Sequence, residues 1–311
     1  MKPSLSEELK LFISEFIPEH FDKLVESYSK PLPETFRVNT LKTTVSECLS
    51  LLAEDGVEAK PVPWTKLGFY AEPPGRLSTS LWHMLGLVYI QGPVSMLVAD
   101  LLDVKPGERV LDLCAAPGSK STQIGQNLAG EGVLVANDVS RTRIKALTSN
   151  LQRCGVLNCV VTLADGRYIG FKMQEYFDRV LVDAPCSSLG VGAKDWSVLK
   201  NWSSKLSERM GKLQKALLFS GFRALNPGGE LVYATCTYHP LENEAVVSSL
   251  LDKFENASLL DIKIDGIRFS HGVESWRGLS FRDEVKKAVR IYTFQSGAEG
   301  FFIAKVMKKA D

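Results

Sequence analysis

The sequence predicts an α/β fold, in which a small α+β unit precedes a mostly parallel sheet that carries an antiparallel C-terminal hairpin. From about residue 93 onward, short apolar runs typical of buried strands alternate with longer segments of helical periodicity. Strands that alternate with helices form parallel sheets covered on both faces. The last two apolar runs are separated by a glycine-containing turn, which predicts the hairpin. The change of pattern places a domain boundary between residues 92 and 93.

Residues 1–92 predict the α+β domain. The segment between Thr44 and Gly56 is typical of a capped helix, because Thr44 and Glu47 have capping-box spacing and a glycine can end the last turn. The predicted elements are helices at about 5–17, 20–28 and 44–55, and strands at 35–39, 57–61 and 68–70.

Residues 93–311 predict the larger domain. Pro93 suits the first turn of a helix, where a missing N–H costs nothing. The predicted helices are 93–102, a segment ending near 128, 140–154, 203–225 and 241–254. The predicted strands are 109–114, 132–138, 159–165, 179–185 and 230–236, with the hairpin at 289–294 and 300–309.

Composition excludes several classes of protein. The 311 residues are 45% hydrophobic and 23% charged, as in ordinary globular proteins. We expect a cytoplasmic protein with no membrane partner, because the N-terminus lacks the features of a signal peptide and no apolar run approaches the ~18 residues of a membrane span. The six cysteines form no CxxC pair, so we expect neither a disulfide scaffold nor a metal site. We further expect a monomer.

The net charge is +1, but it is unevenly distributed. Between Lys194 and Lys215 there are six Lys or Arg residues and two acids. This stretch is either a solvated helix face or a surface for phosphate groups.

Polar or reactive residues stand at the ends of five predicted strands. A single Asp after a strand is usually a helix cap, but five such ends in one chain predict a ligand site, because ligands of open α/β sheets bind beyond the carboxyl ends of the strands. The five ends are 114–118, Asp138, Asp165, 183–186 and 235–237.

The first of these ends indicates the kind of ligand. The segment fits neither the phosphate-loop pattern GxxxxGK[ST] nor the dinucleotide pattern GxGxxG. Asp138 lies twenty residues after Gly118, where a carboxylate can accept both ribose hydroxyls. Small residues at 115–118 allow a ligand to approach the backbone. A ligand with an adenosine but no phosphate fits, and S-adenosylmethionine (SAM) is the natural candidate.

Six motifs then identify a resemblance. They are "RVNTLK", "DLCAAPGSKSTQI", "NDVSRTRIKALTSNLQRCG", "DAPCSSLG", "TCTYHPLENE" and "EGFFIAK". In their order they resemble RNA cytosine-5 methyltransferases of the Nop/Sun (RsmB-like) type, from about Arg37 to the C-terminus. The resemblance implies a Rossmann-like SAM-dependent methyltransferase domain behind an RNA-contacting domain. We expect tRNA as the first choice of substrate and rRNA as the second.

The chemistry explains why two cysteines would stand at strand ends. Carbon 5 of cytosine is a poor nucleophile until a thiolate adds to carbon 6, which is covalent catalysis. The residues alone do not rank the two thiols. The resemblance implies that Cys236 attacks, that Cys186 helps to release the adduct and that Asp183 contacts the cytosine. It also implies a cofactor site formed by Cys114, Ala115, Ala116, Pro117, Gly118, Ser119, Lys120, Asp138, Arg143, Asp165 and Asp183.

Two other functions remain open at this point. A SAM-dependent methyltransferase of a non-RNA substrate would share the fold but leave Cys186, Cys236 and the N-terminal domain unexplained. A non-catalytic RNA-binding protein on the same fold would be favoured by loss of Cys236 or of the "AAPG" loop, and both are intact.

Overall fold

The N-terminal part of the computed structural model, which describes residues 3–310, holds a small antiparallel sheet. The helices are α1 (Glu7–Phe16), α2 (Phe21–Ser27), α3 (Val45–Glu54) and α4 (Leu81–Met84), and the strands are β1 (Thr35–Val38), β2 (Glu58–Pro61), β3 (Gly68–Glu72) and β4 (Val88–Ile90). The strands lie in the order β2-β3-β1-β4. Strand β4 is absent from the sequence prediction, because its three residues are too few to show a period.

Helix α3 begins and ends where its sequence predicts. The Thr44 side chain accepts a hydrogen bond from the Glu47 N–H, which satisfies one of the free donors of the first turn. Glu47 does not return the bond to Thr44; its carboxylate accepts from the Thr43 hydroxyl at 2.9 Å. Gly56 follows the helix with φ +73°, a conformation that a residue with a Cβ rarely adopts.

The larger part alternates strands and helices as predicted. Its helices are α5 (Pro93–Leu101), α6 (Ser119–Asn127), α7 (Arg141–Cys154), α8 (Ile169–Lys172), α9 (Trp196–Asn201), α10 (Ser204–Ala224), α11 (Glu244–Lys253) and α12 (Thr293–Ser296). Its strands are β5 (Arg109–Asp112), β6 (Val133–Asp138), β7 (Cys159–Leu163), β8 (Phe177–Asp183), β9 (Leu225–Thr235), β10 (Ala257–Leu260), β11 (Ser270–His271), β12 (Ser275–Trp276), β13 (Leu279–Ser280), β14 (Val289–Ile291) and β15 (Phe301–Lys308).

Within residues 3–310 the large sheet has nine strands. Its order is β11-β14-β15-β9-β8-β5-β6-β7, and β10 pairs with β15 outside this path. The five strands from β9 to β7 are parallel to one another. Strands β10, β14 and β15 form the antiparallel side, with short helix α12 between β14 and β15. The predicted fold class, a mostly parallel sheet with an antiparallel C-terminal hairpin behind a small α+β domain, is confirmed.

Both faces of the large sheet are buried. Val110 of β5 points to the core under α5, α6 and α7, and its neighbour Leu111 points to the core under α10 and α11. Both side chains have no exposed surface, and burying each contributes about 2 kcal/mol to folding. Because neither face is free, a ligand can reach the sheet only at the ends of its strands.

Helices α1 and α2 pack away from the small sheet. Leu9, Phe12 and Leu24 share a buried cluster with Leu199 and Trp202, which follow β8 in the larger part. The small sheet instead encloses its own core with α3. The N-terminal helices therefore support loops at the carboxyl edge of the large sheet. The boundary between residues 92 and 93 stays a prediction.

The "RVN" segment, residues 37–39, connects the two parts of the chain. Arg37 is buried and donates a hydrogen bond to the Thr122 hydroxyl of α6 at 3.0 Å. The Asn39 amide donates to the Cys154 carbonyl at the end of α7, at 2.8 Å. These bonds fix the small sheet against the two helices that follow β5 and β6.

No helix in the part of the chain that the structure describes has the length and apolar content needed to cross a membrane.

Candidate active site

The polar strand ends converge on one cavity. Strands β5, β6, β8 and β9 are parallel, so their carboxyl ends meet at the same edge of the sheet. A cavity of about 590 Å³ lies there. Among the predicted site residues, those that line it are Cys114, Ala116, Asp138, Arg143, Asp165, Asp183, Cys186 and Cys236.

The remaining predicted cofactor residues form the turn into α6. Ala115 and Ala116 are buried, and Gly118 precedes the helix with φ +109°. A Cβ at Gly118 would lie 3.0 Å from the Leu147 side chain of α7, so a larger residue would be strained for two reasons. Ala115, Pro117, Gly118, Ser119 and Lys120 thus shape the loop behind the cavity without lining it.

Asp138 holds this loop in place. One carboxylate oxygen accepts from the Ala116 N–H at 3.2 Å, and the other accepts from the Ser140 N–H at 2.8 Å. Arg143, in the first turn of α7, lies 3.5 Å from the Asp138 carboxylate and donates to the Ala116 carbonyl. Asp138 is buried at 3% exposure. A buried carboxylate at the cavity wall is suited to accept hydrogen bonds from hydroxyl groups.

Asp165 lies farther along the same wall. Its carboxylate forms an ion pair with Arg167 at 2.5 Å, and this hydrogen-bonded contact lowers the pKa of Asp165. Ala184 and Pro185 also line the cavity and lie within the predicted strand end 183–186. Sequence reasoning missed the other lining residues, which are Leu113, Asn137, Val139, Gly166, Arg167, Ser188, Leu213 and Leu217. The spacing of Leu213 and Leu217 puts both on one face of α10, but a pattern of this kind is equally typical of a core face.

A buried ion pair lies between the cofactor loop and the cysteines. Lys120, which is 6% exposed, approaches Asp183 with 2.6 Å between its Nζ and a carboxylate oxygen. Burial disfavours the charge of Lys120, but the Asp183 carboxylate outweighs it and holds the pKa of Lys120 above its usual value. A buried ammonium is stable only when it is paired in this way. Asp183 thus faces the cavity with a cation behind it.

The two predicted catalytic cysteines are neighbours. The Sγ atoms of Cys186 and Cys236 lie 3.1 Å apart, within hydrogen-bond range for sulfur. Both are free thiols and partly accessible. The strand ends that carry them, β8 and β9, are adjacent in the sheet, which explains how residues fifty positions apart meet.

The contact makes the two thiols unequal. The hydrogen bond from Cys186 lowers the pKa of Cys236, and Ser188 and Lys120 act in the same direction against burial and Asp183. The same contact, together with burial, raises the pKa of Cys186 well above its usual value. The thiolate is the nucleophilic form of cysteine. The arrangement therefore favours ionisation at Cys236, with the Cys186 thiol as the donor.

The comparisons with known proteins address the whole chain. The family described as 16S rRNA methyltransferase RsmB/F matches residues 99–307, and the N-terminal domain of 16S rRNA methyltransferase RsmF matches residues 5–93. The chain belongs to the RsmB/F methyltransferase family. The resemblance stated from the motifs is therefore confirmed, as is the enzyme class, a SAM-dependent RNA cytosine-5 methyltransferase.

Curated members of the RsmB/F family are similar over most of this chain. A tRNA (cytosine(49)-C(5))-methyltransferase of Pyrococcus abyssi is 42% identical over 301 residues, which are 92% of this chain and 96% of the relative. Ribosomal RNA small subunit methyltransferase F of Klebsiella pneumoniae is 40% identical over 302 residues, 94% of this chain but 61% of the relative. The chain thus spans about three fifths of the length of the F-type relative.

Solved structures show the same architecture for this RsmB/F member. A methyltransferase homolog protein from Pyrococcus horikoshii superposes with a TM-score of 0.84 at 34% identity, covering 98% of this chain and 100% of that one. NSun6 from the same organism gives a TM-score of 0.85 at 24% identity, covering 98% and 99%, which shows the fold.

The cavity of this methyltransferase fits its cofactor. Val139, Leu213 and Leu217 supply apolar wall, and the Asp138 carboxylate supplies an acceptor. Gly166 allows Leu113 and Leu217 to pack closely in this wall, because a Cβ there would lie 2.9 Å from Leu217 and 3.2 Å from Leu113. A flat apolar base and a pair of hydroxyls are the groups that such a surface accommodates. Among residues 3–310 no group of His, Cys, Asp or Glu is arranged to hold a metal ion.

Proposed function

We propose that this protein transfers a methyl group from SAM to carbon 5 of a cytosine in tRNA, through a covalent adduct between Cys236 and carbon 6. The observation that carries the proposal is the thiol pair, whose Sγ atoms are 3.1 Å apart at the wall of the cavity. A SAM-dependent methyltransferase that methylates oxygen or nitrogen needs no thiol nucleophile, because these atoms can attack the methyl group themselves.

Each chemical step uses a group in this cavity. The Cys236 thiolate adds to carbon 6, which turns carbon 5 into an enamine-like carbon. SAM supplies the methyl group as an electrophile when it is bound. A base then takes the carbon-5 proton, and the electron pair of that C–H bond re-forms the ring double bond and expels the Cys236 thiolate, with Cys186 assisting this release. Splitting one difficult substitution into addition and elimination is the benefit of covalent catalysis.

The pair of Lys120 and Asp183 supports recognition of the base. Asp183 lines the cavity beside both cysteines and can accept from the exocyclic amine of cytosine. Lys120 keeps this carboxylate in place at 2.6 Å. Because the cavity lies at the end of the sheet, the cytosine must leave any RNA helix to reach it.

The choice of tRNA over rRNA is supported by the first of the two relatives. The P. abyssi protein, which is named for tRNA cytosine 49, is 42% identical to this chain, and the K. pneumoniae protein, which is named for ribosomal RNA, is 40% identical. The purified protein, incubated with SAM and equal amounts of a tRNA pool and of 16S rRNA, should place 5-methylcytosine mainly in tRNA. Bisulfite sequencing locates the modified positions. Modification of 16S rRNA alone would reverse the choice, and modification of neither RNA would contradict the proposed function.

The role of Asp138 is tested by cofactor binding without RNA. Replacing Asp138 with Ala should weaken SAM binding at least tenfold, about 1.4 kcal/mol, because ribose hydroxyls lose a charged acceptor. Calorimetry measures the dissociation constant. Asp178→Ala is the matched control, since Asp178 pairs with Arg109 at the opposite edge of the sheet and should leave SAM affinity unchanged. Equal affinity for Asp138→Ala and the wild type would remove Asp138 from the cofactor site.

A further inference from the structure

A buried carboxylate connects the two loops that carry the cysteines. Glu242 has no exposed surface and lies outside the cavity wall. Its two oxygens accept three hydrogen bonds from side chains and backbone that follow β8 or belong to α10. The donors are the Ser187 N–H at 2.9 Å, the Ser187 hydroxyl at 2.5 Å and the Gln214 amide at 3.0 Å.

These contacts reach the immediate neighbours of both thiols. Ser187 follows Cys186 in the chain, and its hydroxyl lies 2.7 Å from the hydroxyl of Thr237, which follows Cys236. Gln214 also donates to the Pro185 carbonyl at 2.8 Å, on the other side of Cys186. The Glu242 carboxylate therefore restrains the loop after β8 from two directions.

The backbone around Glu242 is itself fixed to β9. The Tyr233 hydroxyl donates to the Glu242 carbonyl at 2.6 Å. The adjacent Asn243 donates from its amide to the Thr237 carbonyl at 3.0 Å and accepts from the Thr235 hydroxyl at 2.6 Å. One end of the connection is thus anchored to the strand that presents Cys236, and the other end holds the loop that presents Cys186.

We propose that Glu242 is a positioning residue that sets the separation of the Cys186 and Cys236 thiols. The inference deepens the proposed function, because that separation is what lets one thiol donate a hydrogen bond to the other. Glu242 acts through Ser187 and Thr237 and touches neither the cofactor nor the base. A carboxylate suits the position, since it accepts without donating and every group that faces it can donate, which are the Ser187 N–H and hydroxyl, the Gln214 amide and the Ser207 hydroxyl.

A glutamine would not replace it. In its best orientation the amide oxygen accepts from the Ser187 N–H and from Gln214, and the NH₂ group faces the Ser187 hydroxyl, which must then accept instead of donate. The loop loses its charge-assisted bond from that hydroxyl, and such bonds are about twice as strong as neutral ones. In Glu242→Gln we therefore expect the two sulfur atoms to separate. Ser187→Ala is a milder variant, because it removes the hydroxyl bridge and keeps the bond from the Ser187 N–H to Glu242.

Thiol alkylation measures the separation without RNA or SAM. Around Cys236, the titratable and charged groups are Cys186, Asp183, Lys120 and Tyr238, and none of these residues is replaced in the variants. The charge of Glu242 raises the pKa of Cys186, so Ser187→Ala, which keeps that charge, separates the effect of distance from the effect of charge. Loss of the hydrogen bond from Cys186 should raise the pH midpoint of Cys236 alkylation by about one unit, which is tenfold slower reaction near neutral pH. Peptide mapping by mass spectrometry separates Cys236 from the other cysteines.

Ellman's reagent gives a second readout of distance. The Cys236 thiolate attacks its disulfide and releases one thionitrobenzoate, forming a mixed disulfide. The Cys186 thiol, losing its proton, then displaces the second thionitrobenzoate and forms a Cys186–Cys236 disulfide. Because this second step requires the two sulfurs to meet, we expect it to be at least tenfold slower in Glu242→Gln and several-fold slower in Ser187→Ala.

Glu244→Gln is the matched control. Glu244 lies two residues away, is equally buried and forms an ion pair with Arg290, but it contacts neither cysteine loop. It should lower the melting temperature and leave the alkylation profile and the rate of disulfide closure unchanged. Wild-type profile and closure rate in Glu242→Gln, or in Ser187→Ala should Glu242→Gln fail to fold, would overturn the positioning role. Because both assays lack RNA, failure of the proposed function would show separately, as absent methylation of RNA.

Discussion

Cys236→Ala should abolish methyl transfer to RNA and form no covalent protein–RNA complex, because no thiolate remains to add to carbon 6. Cys186→Ala should still attack and methylate, but it should release the product slowly. The Cys186 variant should therefore accumulate a complex that survives denaturing electrophoresis. The two thiols lie 3.1 Å apart, yet their removal is expected to have opposite effects on the adduct. Radiolabelled RNA, SAM and a denaturing gel provide the measurement.

The double variant is the control for this prediction. Residues that act in one sequence of steps do not contribute independently, so Cys186→Ala combined with Cys236→Ala should behave as Cys236→Ala alone. Cys159→Ala, a change at a half-buried thiol on β7 away from the cavity, should retain activity. A stable adduct with Cys236→Ala and none with Cys186→Ala would reverse the two roles. Full activity in both variants would contradict the covalent mechanism.

Reversing the charge of a basic stripe on α10, formed by Lys205, Arg209 and Lys212, should weaken RNA binding by about a hundredfold. The three side chains are exposed, share one helix face and have no ion-pair partner among residues 3–310. They lie in the first half of α10, which starts at the edge of the sheet that carries the cavity. If each contacts one phosphate, the dependence of log affinity on log salt should become shallower by about two. Filter binding at several salt concentrations measures both quantities.

A second triple variant controls for net charge. It replaces three exposed lysines near the amino ends of the parallel strands, Lys105, Lys253 and Lys309, with Glu. The net charge therefore changes by the same amount as in the first variant. RNA affinity should fall little in this variant, and SAM affinity should stay unchanged in both. Equal losses of RNA affinity in the two variants would mean that α10 acts only through total charge. No loss in either would make the stripe a solvated face.

Much of the architecture follows from local pattern. The apolar runs around Val110, Val135 and Leu181 are buried on both faces of a parallel sheet, so they leave a continuous signal in the sequence. Helix α3 is also predictable from the sequence, because Thr44 and Gly56 mark its ends. Strands β4 and β10 are short and depend on partners distant in sequence, so no local period predicts them. The packing of α1 and α2 on the larger part could not be predicted either, because their contacts are with residues distant in sequence.

The sequence by itself determined the class of site. Parallel strands end at one edge, so Asp138, Asp183 and Cys236 had to lie near one another once the strands were recognised. Only the tertiary structure decided which thiol has the lower pKa. That property depends on the proton donor and the charges around each sulfur, and here they arrive from β8 and α6, far away in the chain. Electrostatic interaction depends on distance in space, which sequence separation does not reveal.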